Sequence, residues 1–478
     1  MDFFKKTSMT HIPVEDRIPK VQKAAFSLGY CVDYLSTGLT VSVLWMPFFN
    51  IGLGMSPVIL GGFLMLFRGW DAITDPIMGN ITDNTRSRWG RRRPYIAIGT
   101  VLTAISYILL WRVPAGLPPM QQNLLLGGLG ILLFTCYTIW SMPFYSLMME
   151  LTPNYDERTR LSAWVAIAGK LIYLGGGWVL ALATCSLFAD PVTGKADIVR
   201  GMRATSLLIA GLFLILGLLP AFFVKERYYK AASAGHRTKF WKSIRESIHC
   251  KPLWLLIGIN FFLTLGMSIT GILGQYVSIY YLNGGDLYSA SVLNGWRSSG
   301  VMLIGILGIP LWTKLSEWLD KKIIVAIMLS CSMIGHLMNL FCLNPENPYL
   351  WLVASIFEAG AIGAVWLFLP AMKGDVADYD EIDTSTRREG SLNAFYSWFA
   401  KVAATIGAGL GGTVLQWSGF NAALGAQPLN ILLRMKWLYI VLPIFLWSFT
   451  LLFIWRYSLD RKRMAAIRSQ LEARRGVV

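Results

Sequence analysis

The chain has 478 residues, of which 55% are hydrophobic and only 15% are charged, and its mean hydropathy is +0.51. A soluble globular protein carries about 25% charged residues, so this composition excludes an ordinary cytosolic enzyme and a disordered protein and indicates a polytopic membrane protein. The formal charge of +16 is explained better by basic cytoplasmic loops facing anionic lipid than by nucleic-acid binding. We expect no nucleic-acid partner.

Apolar runs bounded by charged or turn-forming residues follow one another along the chain. Each run is long enough to cross a bilayer, and backbone amides in hydrocarbon require the internal hydrogen bonds that a helix provides. We therefore predict an all-α membrane protein with twelve transmembrane helices. The predicted spans are residues 24–49, 58–80, 95–112, 123–147, 162–184, 204–224, 252–282, 288–312, 323–342, 349–371, 391–417 and 437–456.

The distribution of lysine and arginine predicts the orientation of these spans. With both termini placed in the cytoplasm, the cytoplasmic segments hold 33 of the 43 basic residues and the outer loops hold six. Basic residues concentrate on the cytoplasmic side of membrane proteins. The split predicts a multi-pass protein of the cell inner membrane with both termini in the cytoplasm.

The longest charged interruption divides the twelve predicted spans into two sets of six. The predicted domains are an N-terminal six-helix bundle (1–224), a basic cytoplasmic linker (225–251), a C-terminal six-helix bundle (252–456) and a basic cytoplasmic tail (457–478). This layout is typical of transporters whose substrate site lies at the membrane midplane between the halves.

Two carboxylates in the second predicted span are the strongest candidates for chemistry. Asp71 and Asp75 are four residues apart and share a helix face, and Arg68 lies one turn earlier on it. Carboxylates inside an apolar span are costly and mark a functional site by default. Two anions this close require a cation, which is a proton, Na⁺ or a neighbouring arginine. The structural alternative is an Arg68–carboxylate bridge that only holds the helix.

The cytoplasmic loop after this span contains Gly79-x-x-x-Asp83 followed by Gly90-Arg91-Arg92. The pattern resembles the cytoplasmic signature of the major facilitator superfamily, in which the Asp and Arg groups form a charge network that latches one conformation. The resemblance implies a conformational latch at Gly79, Asp83, Arg91 and Arg92. The alternative is that the arginines only obey the topology rule.

Longer strings resemble the glycoside–pentoside–hexuronide:cation symporter family of the same superfamily. They are Trp70-Asp71-Ala-Ile-Thr-Asp75-Pro-Ile-Met-Gly79 in the second span, residues 137–147 in the fourth, and the loop after the tenth, with Asp375-Val-Ala-Asp378-Tyr379-Asp380-Glu381 and Arg387-Arg388-Glu389-Gly390. The resemblance covers most of the chain. It implies the major facilitator fold, two pseudo-repeated six-helix bundles, and cation-coupled sugar transport.

Carried over by position, the resemblance assigns residues to two sites. Asp71, Asp75 and Thr138 match cation-binding positions, and Ser141 stands where the family has an Asp that contacts both cation and sugar. This departure leaves Na⁺ and H⁺ both open as the coupling ion. A Na⁺ site at Asp71 and Asp75 is the only metal site expected, and no cofactor is expected.

The candidate substrate residues match less closely. Lys401 matches the lysine near both sites, Tyr145 replaces an aromatic residue that stacks on sugar, and Asp33 lies near a sugar-binding Asp. Lys170 lies one turn from the position of a sugar-binding Arg. The candidates to line a cavity include Trp140 and Trp398, with simple packing as the alternative. Basic residues within spans make an acidic sugar an option, and the alternative for Arg297 and Glu358 is that they pair or snorkel to an interface.

The sequence as a whole predicts a secondary active transporter that couples a cation to a sugar or glycoside by alternating access, with an acidic sugar as one option. The expected partners are the sugar, the cation and the lipid bilayer, and we expect a monomer. The alternatives are a lysolipid or other amphiphile carrier of the same superfamily and a membrane sugar sensor that does not transport. An enzyme is disfavoured because no nucleophile–base pair is evident.

Overall fold

The structure is a computed structural model that describes residues 17–152, 155–226, 248, 250–384, 389–422 and 424–475. Within these residues every regular element is a helix, and the only β pairing is an isolated bridge between Ala189 and Ala196. The predicted all-α class is therefore confirmed. The described residues form two compact units, and each is described by itself.

Unit 1 takes in the described residues of Met1–Trp45, Leu66–Ala183 and Ile198–His236. Its first helix continues into π-helical turns at Tyr34–Gly38 and Thr40–Leu44. The helices of this unit are α1 (Lys20–Asp33), α2 (Pro57–Asn84), α3 (Arg93–Leu110), α4 (Pro119–Leu151), α5 (Tyr155–Gly176), α6 (Val179–Ala183) and α7 (Ile198–Phe223). Of α2, only the part from Leu66 onward belongs to this unit.

Unit 2 takes in the described residues of Met46–Met65, Thr184–Asp197 and Arg237–Val478. It contains π-helical turns at Pro47–Gly52, Val277–Leu282 and Ala364–Phe368 and short 3₁₀ turns at Ser186–Phe188 and Pro348–Leu350. Its further helices are α8 (Lys251–Tyr276), α9 (Leu287–Trp318), α10 (Lys321–Cys342), α11 (Trp351–Gly363), α12 (Leu369–Thr384), α13 (Glu389–Trp417), α14 (Leu429–Arg456) and α15 (Arg461–Arg475).

Ten helical segments of the described residues are long and apolar enough to cross a membrane. Two of the twelve predicted spans are not among them, although both are helical. The first, 24–49, continues from α1 through π-helical turns. The second, 58–80, lies within α2, where one arginine and two aspartates lower the mean hydropathy. The multi-pass helical character is established, whereas the number twelve stays a prediction.

Helix packing in unit 1 places the predicted site residues on neighbouring helices. α3 packs against α4 and α7, and α1 packs against α5 and α7. Large aromatic side chains, among them Trp111, Trp140 and Tyr107, are fully buried and fill this core. Trp70 on α2 donates from its indole nitrogen to the Thr135 hydroxyl on α4 at 2.8 Å, so α2 is fixed against α4 at the level of the acidic pair.

In unit 2, α8 packs against α13 and α14, and α10 packs against α11 and α14. The glycines near the end of α13 allow very close approach: a Cβ atom at Gly412 would overlap the backbone carbonyl of Pro57. Small residues at such contacts are how helices pack closely within membranes, where apolar side chains gain little by leaving lipid.

Two segments at the predicted cytoplasmic side are more ordered than their charge suggests. The stretch beginning at Asp375 was predicted to be a loop. This prediction is wrong, because α12 continues to Thr384. The predicted tail forms α15, which packs on α12 and buries Met464, Ile467 and Leu471. Both helices persist because apolar faces remain between the charges.

Candidate functional site

The two acids predicted on α2 lie on one helix in unit 1, and they have different neighbours. Asp71 is buried, and its Oδ2 atom lies 3.6 Å from Nη1 of Arg68. The alternative to a cation site was an ion pair between Arg68 and a carboxylate, and Asp71 forms such a pair. Asp75 instead accepts a hydrogen bond at 3.3 Å from the hydroxyl of Thr138 on α4.

Oxygen atoms converge beside Asp75. The hydroxyl oxygens of Thr74 and Thr138 lie 3.3 Å apart, and Thr74 also donates to the carbonyl of Trp70 at 3.1 Å. Each hydroxyl has a single hydrogen, so when Thr74 donates to Trp70 and Thr138 donates to Asp75, no hydrogen remains for the contact between the two threonines. The hydroxyl and carboxylate oxygens together offer lone pairs that a small cation can bind.

Ser141 extends this set of oxygens along α4. It lies one helical turn beyond Thr138 and is buried, and its hydroxyl makes no hydrogen bond to any residue that the structure describes. Carboxylate and hydroxyl oxygens are the ligands that hard cations prefer. Thr74 was not among the residues predicted for this site, and its contact with Thr138 adds it to the candidate cation site.

A second carboxylate, Asp33 at the end of α1, is surrounded by phenol groups. The Tyr137 hydroxyl donates a hydrogen bond to Asp33 Oδ1. The side chains of Tyr30, Tyr145 and Tyr173 are close enough to interact electrostatically with the same carboxylate. The sequence analysis identified Asp33 and Tyr145 but missed the other tyrosines, although Tyr30 and Asp33 are three residues apart and therefore share a helix face.

The two aromatic candidates on α4 differ in exposure. Trp140 is 0% exposed and stacks on Phe144 with ring centroids 4.8 Å apart, so its ring faces are covered by protein in this structure. Tyr145 is 37% exposed and meets Tyr30 edge-on at 6.3 Å. Of the two rings, only that of Tyr145 is open to a ligand. The packing alternative describes Trp140 better.

Three candidate residues lie farther along the chain. Lys170 is partly buried on α5 and makes no ion pair with any residue that the structure describes; its neighbour Gly169 packs near the ring of Tyr30. Trp398 and Lys401 lie one turn apart on α13 in unit 2, and both are exposed. The acids of the candidate cation site belong to unit 1.

The predicted latch residues lie around the loop between α2 and α3. Asp83 Oδ1 lies 3.8 Å from Nη1 of Arg91 and 3.3 Å from Nη2 of Arg92, so the predicted Asp–Arg network is present within unit 1. A Cβ atom at Gly79 would meet nothing within 4 Å. Packing within this structure therefore does not require glycine there.

Glu226, which follows α7, completes the latch region and was missed by the sequence analysis. Its carboxylate accepts hydrogen bonds from the backbone amides of Arg91, Arg92 and Arg93 at 2.9, 2.9 and 3.1 Å. These amides open the N-terminus of α3, where an anion is favoured. Gly90 has a φ of +106°, and a Cβ atom there would lie 2.6 Å from Glu226 Oε1, so both backbone and space require glycine.

The Glu157 carboxylate at the start of α5 forms another interaction that the sequence did not reveal. Its Oε1 atom lies 2.6 Å from Nζ of Lys23 and accepts a hydrogen bond from the amide of Ile18 at 2.8 Å. Burial acts to raise the pKa of Glu157, but these two contacts outweigh it and lower the pKa below its usual range. The pair joins α1 to α5 outside the spans.

The family model for MFS/sugar transport proteins matches residues 30–461. An isoprimeverose transporter of Lactiplantibacillus pentosus is 25% identical, with 94% of this chain and 90% of the relative covered. The sodium-dependent lysophosphatidylcholine symporter 1-A of Danio rerio is 23% identical, with 94% and 88% covered.

Among solved structures, a bacterial homologue of the human lysosomal transporter Spinster, in an inward-facing and unoccupied conformation, is similar with a TM-score of 0.64. Its identity is 14%, and the match covers 94% of this chain and 97% of that one, so the likeness shows a shared fold. The family match confirms the predicted resemblance and identifies a transporter, not an enzyme. The chain belongs to the MFS/sugar transport protein family, which comprises symporters of the glycoside–pentoside–hexuronide:cation type.

Proposed function

We propose that this protein is a secondary active transporter that couples the movement of a cation to that of a sugar or glycoside by alternating access. The observation that carries the proposal is the set of oxygens from Asp75, Thr74 and Thr138 on α2 and α4, with Asp71 one turn before Asp75 on α2. A family of sugar transporters supplies the substrate class. The name of the Lactiplantibacillus relative supports a sugar.

Charge compensation is the physical basis of the coupling. The side chain of Asp71 faces Arg68, whereas Asp75 faces hydroxyl oxygens. A cation bound beside Asp75 would offset the carboxylate charge and draw α2 and α4 together. If that arrangement also improves the sugar site, the sugar must improve cation binding by the same factor. The ion is Na⁺ or H⁺, and the sodium dependence named for the Danio relative supports Na⁺.

For the sugar, we propose Asp33 and Tyr145 as the central contacts. A carboxylate accepts hydrogen bonds from sugar hydroxyls, and an exposed aromatic ring packs against the apolar face of a pyranose. Lys170, Trp398 and Lys401 are proposed as further contacts. The lysines would favour a substrate with an acidic group, whereas Arg297 is already paired with Glu358.

The finer architecture is part of the same proposal. We infer twelve crossings in two six-helix bundles, both termini in the cytoplasm, and residence in the cell inner membrane as a monomer. The strong bias of basic residues supports this orientation. In this orientation the Asp83–Arg92 contact lies on the cytoplasmic side, where breaking and forming it would accompany the change between conformations.

The proposal is tested by uptake into proteoliposomes across a panel of glycosides, pentoses and uronates, with Na⁺, Li⁺ and pH gradients imposed separately. We expect one gradient to drive accumulation of at least one sugar. Asp75→Asn should abolish accumulation and leave exchange of sugar across the membrane. Asp383→Asn, which removes the same charge at an exposed position, should behave as the native protein. Full accumulation by Asp75→Asn would show that the cation role is wrong.

A second candidate is a carrier of lysolipids or related amphiphiles, which the Danio relative favours. The polar set around Asp33 argues against it, because a lipid tail gains nothing from a carboxylate and its phenol groups. Lysophosphatidylcholine belongs in the same uptake panel. Uptake of this lipid with no uptake of any sugar would replace the sugar proposal with the carrier.

A further inference from the structure

A cluster of buried polar side chains in unit 2 has no part in the proposed cation or sugar sites. Arg297 on α9 pairs with Glu358 on α11 and donates from Nε to the Ser355 hydroxyl at 2.9 Å. The Arg297 guanidinium lies over the Trp351 ring at 4.4 Å. Glu358 Oε1 also accepts from Asn339 on α10 at 2.9 Å and from the Tyr439 hydroxyl on α14 at 3.2 Å. Four helices therefore meet at one carboxylate.

His336 lies beside this carboxylate without being bonded to it. The imidazole is 0% exposed, and neither ring nitrogen makes a hydrogen bond of good geometry to any residue that the structure describes. Its ring centroid lies 5.2 Å from that of Tyr439 and 5.2 Å from that of Trp447. A fully buried imidazole without a side-chain hydrogen-bond partner is uncommon, since such groups are almost always paired.

The position of His336 on α10 directs it at Glu358. Ser332, His336 and Asn339 are buried on one face of α10. On either side of His336, Ser332 donates to the backbone carbonyl of Glu358 at 3.2 Å and Asn339 donates to its carboxylate. The imidazole lies between two residues that both contact Glu358, and it interacts electrostatically with that carboxylate and with Arg297.

The charged and titratable groups around His336 can be named by helix. α11 contributes Glu358, α9 contributes Arg297 and α14 contributes Tyr439, whose backbone carbonyl also faces the imidazole. Lys436 on α14 is engaged farther along, where its ammonium group lies 3.3 Å from the carbonyls of Leu340 and Leu343 at the end of α10. The immediate surroundings hold one anion and one cation, and these already form a pair.

We propose that His336 is a proton-binding site, in which a proton on the imidazole is balanced by the Glu358 carboxylate at the expense of the Arg297–Glu358 pair. An imidazolium has two N–H donors, and Glu358 Oε1 and the unsatisfied Oδ1 of Asn339 are acceptors on this side of the cluster. Uptake of one proton adds one positive charge. The site accommodates it only when Arg297 moves away from Glu358.

Arg297 is the member of the cluster that can move in this way. Its side chain is 21% exposed, whereas that of Glu358 is 6% exposed. A partly exposed guanidinium can exchange the carboxylate for an anionic group of a ligand, and Glu358 would then be available to His336. The proton and an anionic ligand of Arg297 would thus favour each other's binding by the same factor. This site is separate from the α2 acids and does not depend on them.

Proton binding can be measured directly because the chain has only four histidines: His11, His236, His249 and His336. The full-length protein labelled with ¹⁵N-histidine in nanodiscs gives four imidazole signals, and His336→Gln identifies the one that belongs to His336. We expect this signal to change from neutral to protonated on acidification in the native protein, and to do so at a higher pH in Arg297→Gln.

The variants give the expected direction of each effect. Arg297→Gln removes the competing cation and should raise the proton affinity of His336 about tenfold or more, which is at least one pH unit in the midpoint. Glu358→Gln removes the balancing anion and should lower the affinity by a similar factor. Arg297→Lys and Glu358→Asp keep the charges and should leave the midpoint close to the native one. They also show whether loss of folding causes any change.

Two results would overturn the proposal. One is a His336 signal that stays neutral down to pH 5 in both the native protein and Arg297→Gln. The other is a midpoint that neither charge-removing variant moves. These outcomes are independent of sugar uptake, so a failed uptake panel and a failed proton site are distinguishable. His236→Gln, a matched histidine substitution elsewhere in the chain, should leave the His336 signal unchanged.

Discussion

The Glu226 carboxylate offers a prediction whose size follows from the structure. Oε1 accepts from the amides of Arg92 and Arg93, and Oε2 accepts from the amide of Arg91. In Glu226→Gln the amide oxygen can replace Oε1, but the NH₂ group would face the N–H of Arg91. Loss of one charge-assisted hydrogen bond costs about 1.5–3 kcal/mol. A loss of about 2 kcal/mol makes local opening about 30-fold more frequent.

Hydrogen–deuterium exchange read by mass spectrometry tests this value. Peptides covering residues 86–96 should exchange about 30-fold faster in Glu226→Gln than in the native protein, provided that exchange tracks local opening. Glu346→Gln, a substitution in the exposed loop between α10 and α11, serves as the matched control. Unchanged exchange in residues 86–96 would refute the argument that Glu226 holds the N-terminus of α3.

Three further substitutions test other contacts. Glu157→Gln should lower the apparent melting temperature of the purified protein at pH 7, since breaking a buried pair with Lys23 costs about 3 kcal/mol. Because the pKa of Glu157 is lowered by folding, the native protein should lose this stabilisation as the pH falls below about 4, and the variant should show less dependence on acid. Tyr137→Phe removes the donor to Asp33 and should weaken sugar binding more than fivefold in an equilibrium binding assay. The melting temperature should change by no more than about 5 °C. Unchanged sugar binding would contradict the substrate role of this carboxylate. Gly90→Ala should accelerate exchange in residues 86–96 as Glu226→Gln does, because the added Cβ displaces that carboxylate, and native exchange rates would show that the loop adapts.

The sequence predicted those parts of the structure that depend on residues close together in the chain. Apolar runs predict helices because each helix satisfies its own backbone in lipid, and the acidic pair on α2 is visible because charge is rare within such a run. The Asp83–Arg92 contact joins residues close together in the chain and was predicted from the resemblance of that stretch to the major facilitator signature.

The contacts that were missed join distant parts of the chain. Glu226 lies in a stretch read as a basic linker, and nothing local indicates that its carboxylate reaches three amides after α2. His336 and Glu358 are separated by the end of α10, a loop and the first part of α11, and their proximity depends on the packing of α10 against α11. Only the Arg297–Glu358 pair was anticipated, as an alternative, because two opposite charges in apolar spans require partners.

The extent of α12 shows a second reason why the sequence did not predict the whole structure. Its charged residues suggested a loop, but Asp375 pairs with Lys321 at 2.6 Å and Arg463 of α15 lies over the Tyr379 ring at 5.4 Å. These interactions with α10 and α15 stabilise a helix that hydropathy alone ends too early. Helix boundaries at a membrane surface depend on such tertiary contacts.

Cation coupling at Asp71 and Asp75 is the central claim, and reciprocal binding tests it most directly. The affinity for the transported sugar is measured with and without the coupling cation, and the affinity for the cation with and without the sugar, in the native protein and in Asp75→Asn. The account predicts that each ligand strengthens the other by the same factor, about fivefold or more, and that Asp75→Asn loses this factor. Native-strength cation binding in Asp75→Asn, or a sugar affinity that ignores the cation in the native protein, would contradict it.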